Sequence, residues 1–485
     1  RGAAVSFLTC DKVLPACMRA ERTEVPEPAT IADGHFNDHR LCHECPQVAR
    51  VVYGPLGLPG VQFGELVSVH ERAEIRQLAE RLPLAELPKL VWRGLPVGEH
   101  AYAGTLRYFA SGNLDHEPEA EGVTRRYLEG TLISAAAMLR LLGQTKFSTA
   151  VFHHGIYSPQ GMVAAACRAA GISPKIWHIA YRKSSFMFSH EDTYHRTMLT
   201  EPTATWRDLA WTPQMETELM EYLKSRWQGS NDWIWFHEKP EENIDRICAE
   251  IGVDLRKPTI GLLTNVMWDA QLHYGTNAFP NMLEWVLATI EHFARRPGLQ
   301  LLIRVHPAEV RGTMKSRQPI AAEIARRYPK LPANVFIIPP ESQVSTYAAM
   351  LQCDAAIIYA TKTGVELTAM GVPVVVAGEA WIRNKGFSLD ASSPAEYEAI
   401  LAKLPLGRRM TADEILLAKK YAYHFFFRRM IPVNFMKPAA DWPPYQLGIS
   451  RLQDLGPGAD AGLDLICDGI LREQPFVYPA ETLGR

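Results

Sequence analysis

The sequence has no long apolar run and no excess of charge of either sign. None of its hydrophobic stretches approaches the ~20 residues that a membrane-spanning helix needs. Lys and Arg number 51 and Asp and Glu 53, so the chain lacks the basic field that a nucleic-acid partner would require. Glycine (33) and proline (34) stay near ordinary usage, which excludes collagen-like and low-complexity chains. With 47% hydrophobic residues, the chain is too apolar for a disordered protein.

Several catalytic signatures are also missing. No GxGxxG follows the first strand and no GxxxxGK[ST] or GxSxG occurs, which argues against dehydrogenases, P-loop NTPases and α/β-hydrolases. An Asp-x-Asp pair that would hold a metal–nucleotide complex is absent as well, so we expect no catalytic metal. The first residues lack the pattern of a signal peptide, and we expect a cytoplasmic protein whose eight cysteines are thiols or ligands.

What the sequence does contain is a regular alternation of short apolar strands and amphipathic helices. This alternation is typical of parallel βαβ units, and it runs in two series. We predict an α/β fold of two doubly wound, Rossmann-type domains facing a cleft, with a C-terminal helix returning to the first domain. The expected parts are a Cys-rich segment (1–60) within the N-terminal domain, an N-terminal α/β domain (61–240), a C-terminal α/β domain (241–410) and a crossover helix with tail (411–485).

Four cysteines lie within the first 45 residues. Cys42 and Cys45 have the C-x2-C spacing that places two sulfurs on one metal, and Cys10 and Cys17 would complete a tetrahedral set. The prediction is a structural zinc site, because four Cys ligands leave no open position for catalysis. An iron–sulfur cluster would use the same thiolates, and four reduced cysteines in a loop-rich segment remain the alternative.

An apolar strand of the second series ends in Arg304-Val-His306-Pro307. Proline fixes φ and blocks ladder pairing, so the chain leaves the strand in a set direction. We therefore expect His306 to point into the cleft, where an imidazole would bond a phosphate oxygen or protonate a leaving group. A strand-end histidine bonded to the backbone is the alternative.

A second strand of that series runs into Thr361-Lys362-Thr363-Gly-Val-Glu366 at the start of a helix. Hydroxyls and backbone N–H groups at a helix N-terminus favour an anion, and Lys362 adds positive charge. Glu366, one turn further, would take ribose hydroxyls. Ordinary N-capping by threonine is the alternative.

Two further groups are candidates for acid–base chemistry. His153 and His154 precede a glycine at a strand-to-helix turn of the first series, where one would act as general base if its pKa lies near the working pH. Asp269 follows the first strand of the second series and would face the cleft or cap the next helix.

These segments resemble bacterial capsule polysaccharide biosynthesis proteins and related GT-B glycosyltransferases over about residues 255 to 390. The resemblance rests on Arg304-x-His306-Pro307, Thr361-x-Thr363-Gly364-x-Glu366, Ala369-Met-Gly371-x-Pro373-Val and Val266-x-Trp268-Asp269-Ala270. The His-Pro element looks like that of transferases using CMP-sugars or CDP-glycerol. The resemblance implies a GT-B-like fold and a nucleotide-sugar donor, a CMP-sugar or another NDP-sugar. It also implies donor contacts by Arg304, His306, Thr361, Lys362 and Thr363, and ribose contacts by Glu366.

The expected function is thus transfer of a sugar from a nucleotide donor to a glycan acceptor without a catalytic metal. The alternatives are a CDP-glycerol-type polyol-phosphate transferase, a UDP-sugar 2-epimerase and a non-catalytic polysaccharide-assembly protein. The basic and aromatic stretch from Lys419 to Arg429 would contact the inner membrane peripherally, or would be the helix that crosses back onto the first domain.

Overall fold

The protein is described by a computed structural model over residues 1–227, 232–233, 240–269, 275–312, 314–439 and 445–483. The strands are β1 Phe7–Thr9, β2 Gly60–Gln62, β3 Thr149–His153, β4 Ser173–Ile179, β5 Ser185–His190, β6 Thr259–Leu263, β7 Gln300–Arg304, β8 Val335–Ile338, β9 Ala355–Ile358, β10 Val374–Val376, β11 Leu389–Asp390, β12 Ile431–Pro432, β13 Met436–Pro438 and β14 Tyr445–Leu447.

The α-helices are α1 Ala29–Ala32, α2 Arg40–Tyr53, α3 Phe63–Leu66, α4 Val69–Arg81, α5 Val97–Phe109, α6 Ala120–Gln144, α7 Gln160–Ala169, α8 Tyr194–Thr200, α9 Ala204–Arg207, α10 Pro213–Trp227, α11 Ile244–Ile251, α12 Met282–Ala294, α13 Ala308–Arg311, α14 Ile320–Arg327, α15 Thr346–Gln352, α16 Thr363–Ala369, α17 Pro394–Leu401, α18 Ala412–Tyr423, α19 Ala461–Arg472 and α20 Ala480–Leu483. Short 3-10 turns occupy Phe36–Asp38, Gly54–Leu56, Leu87–Lys89 and Leu452–Leu455. Among the described residues, no helix combines the length and the apolar composition that crossing a membrane requires.

The second α/β series forms a six-stranded sheet with the order β11-β10-β9-β6-β7-β8. All its strand pairs are parallel. Strands β6, β7 and β9 are buried at every position, as expected for a sheet covered on both faces by helices. The order reverses direction at β6, because β7 and β8 extend to one side and β9, β10 and β11 to the other. This reversal is the topological switch point, beyond whose strand ends ligands bind in open α/β sheets.

The first α/β series is smaller and more helical than predicted. Its sheet has the order β12-β5-β4-β3, and only the pair β3–β4 is parallel. The long helix α6 is buried along most of its length and packs against α1, α3, α4, α5 and α7, so helices supply most of this core. The fold class is α/β, as predicted, with a parallel, doubly wound sheet in the second part and a reduced, mixed sheet in the first.

The C-terminal segment returns to the first sheet, as predicted. Residues after α18 continue as a π-helical turn over His424–Arg428 and then pair as β12 with β5. The aromatic side chains of this turn (Phe425, Phe426, Phe427) are at most 1% exposed. These side chains pack inside the protein. Phe425–Phe427 therefore offer no accessible aromatic ring for the predicted membrane contact.

The secondary structure of the second series follows the predictions closely. Strands β6 to β10 alternate with helices α12 to α16, as predicted for a doubly wound domain. Residues 234–239, at the predicted boundary between the two α/β domains, lie outside the described residues, and the domain boundaries remain predictions.

Candidate functional site

Three strand ends meet at the switch point of the large sheet. Leu263 at the end of β6 pairs with Arg304 of β7 on one side and with Ile358 of β9 on the other. Since neighbouring strands are about 4.8 Å apart, the segments that leave β7 and β9 start about 10 Å from each other. The chain therefore brings His306, the first residues after β6, and the Thr361–Thr363 turn to one edge of the sheet.

His306 is held at the end of β7 by its backbone and by its ring. Its N–H donates to the Thr264 hydroxyl at 3.0 Å, and the Ala308 N–H donates to its Nδ1 at 3.1 Å. Because Nδ1 accepts a hydrogen bond, the neutral ring carries its proton on Nε2 and presents a donor there. Thr264, which the sequence reasoning did not single out, is thus part of the support of this histidine.

Arg304 is buried at the end of β7. It is 2% exposed, and its guanidinium donates to the carbonyl oxygen of Pro339 at 2.5 Å and to the hydroxyl of Thr346 at 3.2 Å. Burial lowers the pKa of Arg304 to about 10. These contacts hold the loop between β8 and α15, and the donor contact of Arg304 stays a prediction.

Thr361 and Thr363 form a compact pair of hydroxyls beyond β9. Their Oγ1 atoms lie 3.2 Å apart, and the Thr363 N–H donates to Thr361 Oγ1 at 3.4 Å. Helix α16 has only seven residues, so the hydroxyls rather than a helix dipole are the main polar feature here. This arrangement suits a phosphate oxygen, which accepts hydrogen bonds.

Glu366 is fully buried and already paired. Its Oε1 lies 3.1 Å from Nη2 of Arg226 and 3.6 Å from Nζ of Lys362, and its other oxygen accepts from the Tyr347 hydroxyl. Arg226 is 4% exposed and also binds Asp232. These residues form a buried ion cluster of two cations and two carboxylates, which joins α10 to the edge of the large sheet: Arg226, Asp232, Lys362 and Glu366.

The cations of this ion cluster favour the charged form of the Glu366 carboxyl. Burial acts to raise the pKa of Glu366, but Arg226, Lys362 and the Tyr347 hydroxyl together hold that pKa below its usual value. Burial also lowers the pKa of Lys362, and Arg226 adds to that effect. The ribose contact predicted for Glu366 would thus require the carboxylate to exchange a protein partner for the ligand.

On the opposite side of the cleft, four histidines form the histidine cluster: His153, His154, His178 and His195. The ring centroids of His153 and His178 are 5.1 Å apart, and those of His154 and His178 are 5.5 Å apart. The turn after β3 places the first two, with φ +69° at His154 and +77° at Gly155. A Cβ at Gly155 would lie 3.0 Å from Ile176, so this turn requires glycine.

The histidine cluster is uncharged at neutral pH. Burial lowers the pKa of His153 to about 4 and that of His195 to about 3, and the nearby His178 acts in the same direction. Burial lowers the pKa of His154 well below its usual value. A histidine serves best as a general base when its pKa lies near the working pH. The pKa values of His153 and His154 lie below that range.

Asp269 meets the first α/β part directly. The Tyr157 hydroxyl donates to its Oδ1 at 3.2 Å, which links the loop after β3 to the loop after β6. The Asp269 side chain is exposed, but protein atoms crowd around it. The resulting desolvation raises the pKa of its carboxyl. Tyr157, Arg107 and His178 oppose the rise. A carboxylate with a raised pKa is a better proton acceptor than one in water, so Asp269 is the strongest candidate base of the site.

Aromatic residues close the site from both sides. Trp381, from the loop after β10, lies 5.6 Å from Tyr194 and 5.9 Å from His195 between ring centroids. Lys362 lies 4.9 Å above the ring of Tyr181, at the end of β4. The two α/β parts are thus in contact around the candidate site.

The four cysteines of the predicted zinc site lie near one another. Cys10, Cys17 and Cys42 are partly buried and Cys45 is exposed. Burial raises the pKa of Cys17 and of Cys42 to about 12, with neighbouring thiols acting in the same direction. The structural zinc site stays a prediction. No group of three or more His, Cys, Asp or Glu in the described part of the chain has the arrangement of metal ligands.

The structure therefore brings together most of the predicted residues, with some in other roles. His306, Thr361, Thr363, Lys362 and Asp269 follow strand ends of the large sheet, and His153 and His154 lie at the end of β3 in the first α/β part. Sequence reasoning missed Tyr157, His178, Arg107 and Arg226. For the first two a signal existed, since Tyr157 stands in the His-His-Gly motif and His178 near the end of a predicted strand.

The fold and site define an α/β protein with a candidate ligand site where its two parts meet. Residues 251–409, about a third of the chain, match the family model described as "Capsule polysaccharide biosynthesis protein". The match contains β6 to β11 and every switch-point residue discussed above. The resemblance predicted from the sequence is confirmed for this part of the chain.

Solved structures show low similarity. The chain resembles the Thermosulfurimonas dismutans KpsC beta Kdo 2,4 transferase with 14% identity and a TM-score of 0.36, covering 56% of this chain and 79% of that one. It resembles the beta Kdo 2,7 transferase of the same protein with 12% identity and a TM-score of 0.34, covering 64% of this chain and 84% of that one. It resembles the spinosyn rhamnosyltransferase SpnG with 11% identity and a TM-score of 0.27, covering 76% of this chain and 83% of that one. No curated protein matches the chain significantly.

Proposed function

We propose that this chain is a glycosyltransferase of capsule or related surface-polysaccharide synthesis. It would move a sugar from a nucleotide-activated donor, with a CMP-sugar favoured, onto a glycan acceptor. One observation carries the proposal. The switch point belongs to the segment that matches the capsule family, and the Tyr157–Asp269 hydrogen bond joins this segment to the polar groups of the first α/β part. Two substrates that react with each other need such a facing pair of sites.

The donor phosphate would lie at the switch point. The hydroxyls of Thr361 and Thr363 and the Nε2 of His306 supply hydrogen bonds to it. Of the described residues there, Lys362 is the near cation, and it is already paired with Glu366. Modest positive charge suits one phosphate better than two, which favours a CMP-sugar over a nucleoside-diphosphate sugar.

The transfer step would use Asp269 as the base. The acceptor hydroxyl oxygen bonds to the anomeric carbon of the donor, and its proton passes to the Asp269 carboxylate. The bond from that carbon to the phosphate oxygen breaks, and the nucleotide leaves with the electron pair. Hydrogen bonds from His306 and the two threonines would stabilise the charge that develops on the leaving phosphate. The neutral histidine cluster would accept and donate hydrogen bonds with acceptor hydroxyls.

The test is ligand binding followed by turnover. A bound nucleotide raises the unfolding temperature by mass action, and we expect CMP to do so more than UDP or GDP. His306→Asn keeps an acceptor for the Ala308 N–H but removes Nε2, so it should weaken CMP binding. His70→Asn on α4, at an 86% exposed side chain, is the matched control and should bind CMP normally. A chain that binds none of CMP, CDP, UDP and GDP would refute the proposal.

Product analysis separates the remaining functions. Acceptor-dependent release of CMP from a CMP-sugar supports sugar transfer. Release of CMP from CDP-glycerol, with phosphate appearing in the acceptor, would instead indicate a polyol-phosphate transferase. Epimerisation of a UDP-sugar without acceptor would indicate a 2-epimerase. Metal independence is part of the proposal, and turnover should persist in EDTA. A cytoplasmic location, structural zinc and peripheral membrane contact stay predictions.

A further inference from the structure

Tyr157 is a buried residue that reaches from one α/β part to the other. It is 1% exposed and lies in the loop between β3 and α7, three residues after His154. Its ring centroid is 4.9 Å from that of His154, and its hydroxyl donates to Asp269 at 3.2 Å. The two bonded residues are 112 positions apart in the chain. A buried tyrosine hydroxyl takes a hydrogen-bond partner, and here the partner is the candidate base.

The position of Tyr157 is fixed from behind. The Arg107 guanidinium lies 5.3 Å from the centre of its ring, close enough for a cation–π contact. Arg107 is itself held by the carbonyl oxygen of Met18 at 2.8 Å and by the carboxylate of Glu21 at 2.5 Å. The turn before it has φ +77° at Gly155, which is packed against Ile176 and Thr193. The tyrosine is therefore a fixed support and not a mobile side chain.

Several groups face Asp269 from the first α/β part. They are the Tyr157 hydroxyl from the loop after β3, the Arg107 cation from α5, His178 from β4 and Tyr181 just beyond β4. The Tyr157 hydroxyl donates a hydrogen bond to the carboxylate at 3.2 Å. A hydrogen bond has a preferred direction and so restrains the orientation of the carboxylate, while the charges act without direction.

We propose that Tyr157 is a positioning residue of the reaction: its hydroxyl, by bonding Asp269 from the first α/β part, holds the carboxylate in the orientation in which it accepts the proton of the acceptor hydroxyl. This inference rests on the proposed function for its chemical meaning. Tyr157 itself touches neither the donor nor the reacting atoms, and it acts through Asp269. The Tyr157–Asp269 hydrogen bond forms only when the two α/β parts are in contact. Asp269 is therefore held in position only in that arrangement.

The proposal predicts a particular pH dependence. A hydrogen bond donated to a carboxylate favours the charged form, so the Tyr157 hydroxyl holds the pKa of Asp269 down against the rise caused by desolvation. The base is active as the carboxylate, and activity is therefore lost as the pH falls through that pKa. Removal of the hydroxyl must shift this acidic limb to higher pH.

The experiment compares Tyr157→Phe with the unmodified chain. The variant keeps the ring under Arg107 and loses only the hydroxyl. We expect kcat/KM to fall roughly tenfold on the acidic limb, about the ratio that one hydrogen bond to a charged group accounts for. The acidic limb should move to higher pH, and the KM for the donor should stay unchanged. An unchanged pH profile, or a higher donor KM with an unchanged acidic limb, would overturn the proposal.

A matched control excludes a general effect of the substitution. Tyr397→Phe removes a buried hydroxyl that bonds Trp285 at 2.9 Å and Thr289 at 2.7 Å, far along the chain from Tyr157. It should lower stability without moving the acidic limb. A shift of that limb in Tyr397→Phe equal to the shift in Tyr157→Phe would contradict the positioning role.

A second readout separates this inference from the proposed function. The chain labelled with [4-13C]aspartate gives a carboxyl signal for Asp269, assigned by its loss in Asp269→Asn. Its titration midpoint should be higher in Tyr157→Phe than in the unmodified chain, whether or not transfer is observed. Transfer without a shifted midpoint would leave the proposed function intact and refute the inference. A shifted midpoint without transfer on any donor would refute the proposed function while the Tyr157–Asp269 coupling stands.

Discussion

The buried ion cluster makes a quantitative prediction about stability. Arg226 contacts Glu366 at 3.1 Å and also binds Asp232, and all three side chains are at most 5% exposed. Arg226→Met preserves most of the side-chain length and removes the cation. Two carboxylates would then lie in the interior, where Lys362 lies near Glu366 and tyrosine hydroxyls donate to both. Removing one partner of a buried ion pair costs about 3–5 kcal/mol, because the remaining charge is left unpaired.

The loss should depend on pH in a defined direction. The pKa of Glu366 is lowered in the folded state, so its pairing stabilises the protein above the pKa of the unfolded chain and is lost as the pH falls through the folded value. In Arg226→Met the carboxyl loses its main counter-charge and can protonate in place. The difference in unfolding free energy between the two chains should therefore shrink as the pH is lowered from 7 towards 4.5.

Urea unfolding at several pH values, followed by circular dichroism, measures this difference. Arg246→Met is the matched control, because Arg246 is 76% exposed and pairs with Glu241 at 3.2 Å on the surface. It should change stability little, as surface pairs contribute little. A loss in Arg226→Met no larger than in the control, or a loss that is equal at pH 7 and at pH 5, would refute the reasoning.

Two further predictions concern the switch point and the glycine turn. Thr361→Val with Thr363→Val should weaken CMP binding about tenfold or more in calorimetry, since each lost hydrogen bond costs roughly 1 kcal/mol, and unchanged affinity would contradict the phosphate assignment. Gly155→Ala should destabilise the protein by about 1–3 kcal/mol, because a residue with a side chain is strained at φ +77° and its Cβ would meet Ile176. Gly143→Ala in α6, with nothing within 4 Å, should be neutral or stabilising, and equal losses in both variants would refute the strain argument.

The large sheet could be predicted from the sequence because its signals are local. Strands β6, β7 and β9 are short runs of Leu, Ile and Ala, and each is followed by polar residues at its carboxyl end. Parallel strands buried on both faces have this pattern. The positions of His306 and of Thr361–Thr363 follow from the strand ends alone. The resemblance to the capsule family depended on the same segments.

The contacts that define the site could not be predicted in this way. Arg226 and Glu366 are 140 residues apart, and no periodicity connects them. The same holds for Tyr157 and Asp269, whose pairing depends on how the two parts meet. Burial also bears on roles that residue type suggested. It lowers the pKa of His153 and so makes the neutral ring a weaker base, and Arg304 donates to the loop after β8. The roles of both residues stay predictions.

The first α/β part was the least predictable. Strand β5 runs antiparallel to β4 after a short connection, and β12 joins it from the far end of the chain. Alternating strands and helices suggested a second doubly wound sheet, but α6 and its helical neighbours fill most of that core. The cysteine spacing suggested metal ligands, and Cys10, Cys17 and Cys42 lie partly buried beside the apolar core of this part, where the zinc site stays a prediction.

The most direct test of the account is turnover by Asp269→Asn. The asparagine is nearly isosteric and keeps an oxygen for the Tyr157 hydroxyl, but it cannot accept the acceptor proton. We expect CMP to bind the variant and the unmodified chain with the same affinity, while acceptor-dependent release of nucleotide falls by about 10²–10⁴-fold, the usual contribution of general base catalysis. Turnover in Asp269→Asn equal to that of the unmodified chain would contradict the assignment of the base and, with it, the central claim about this cleft.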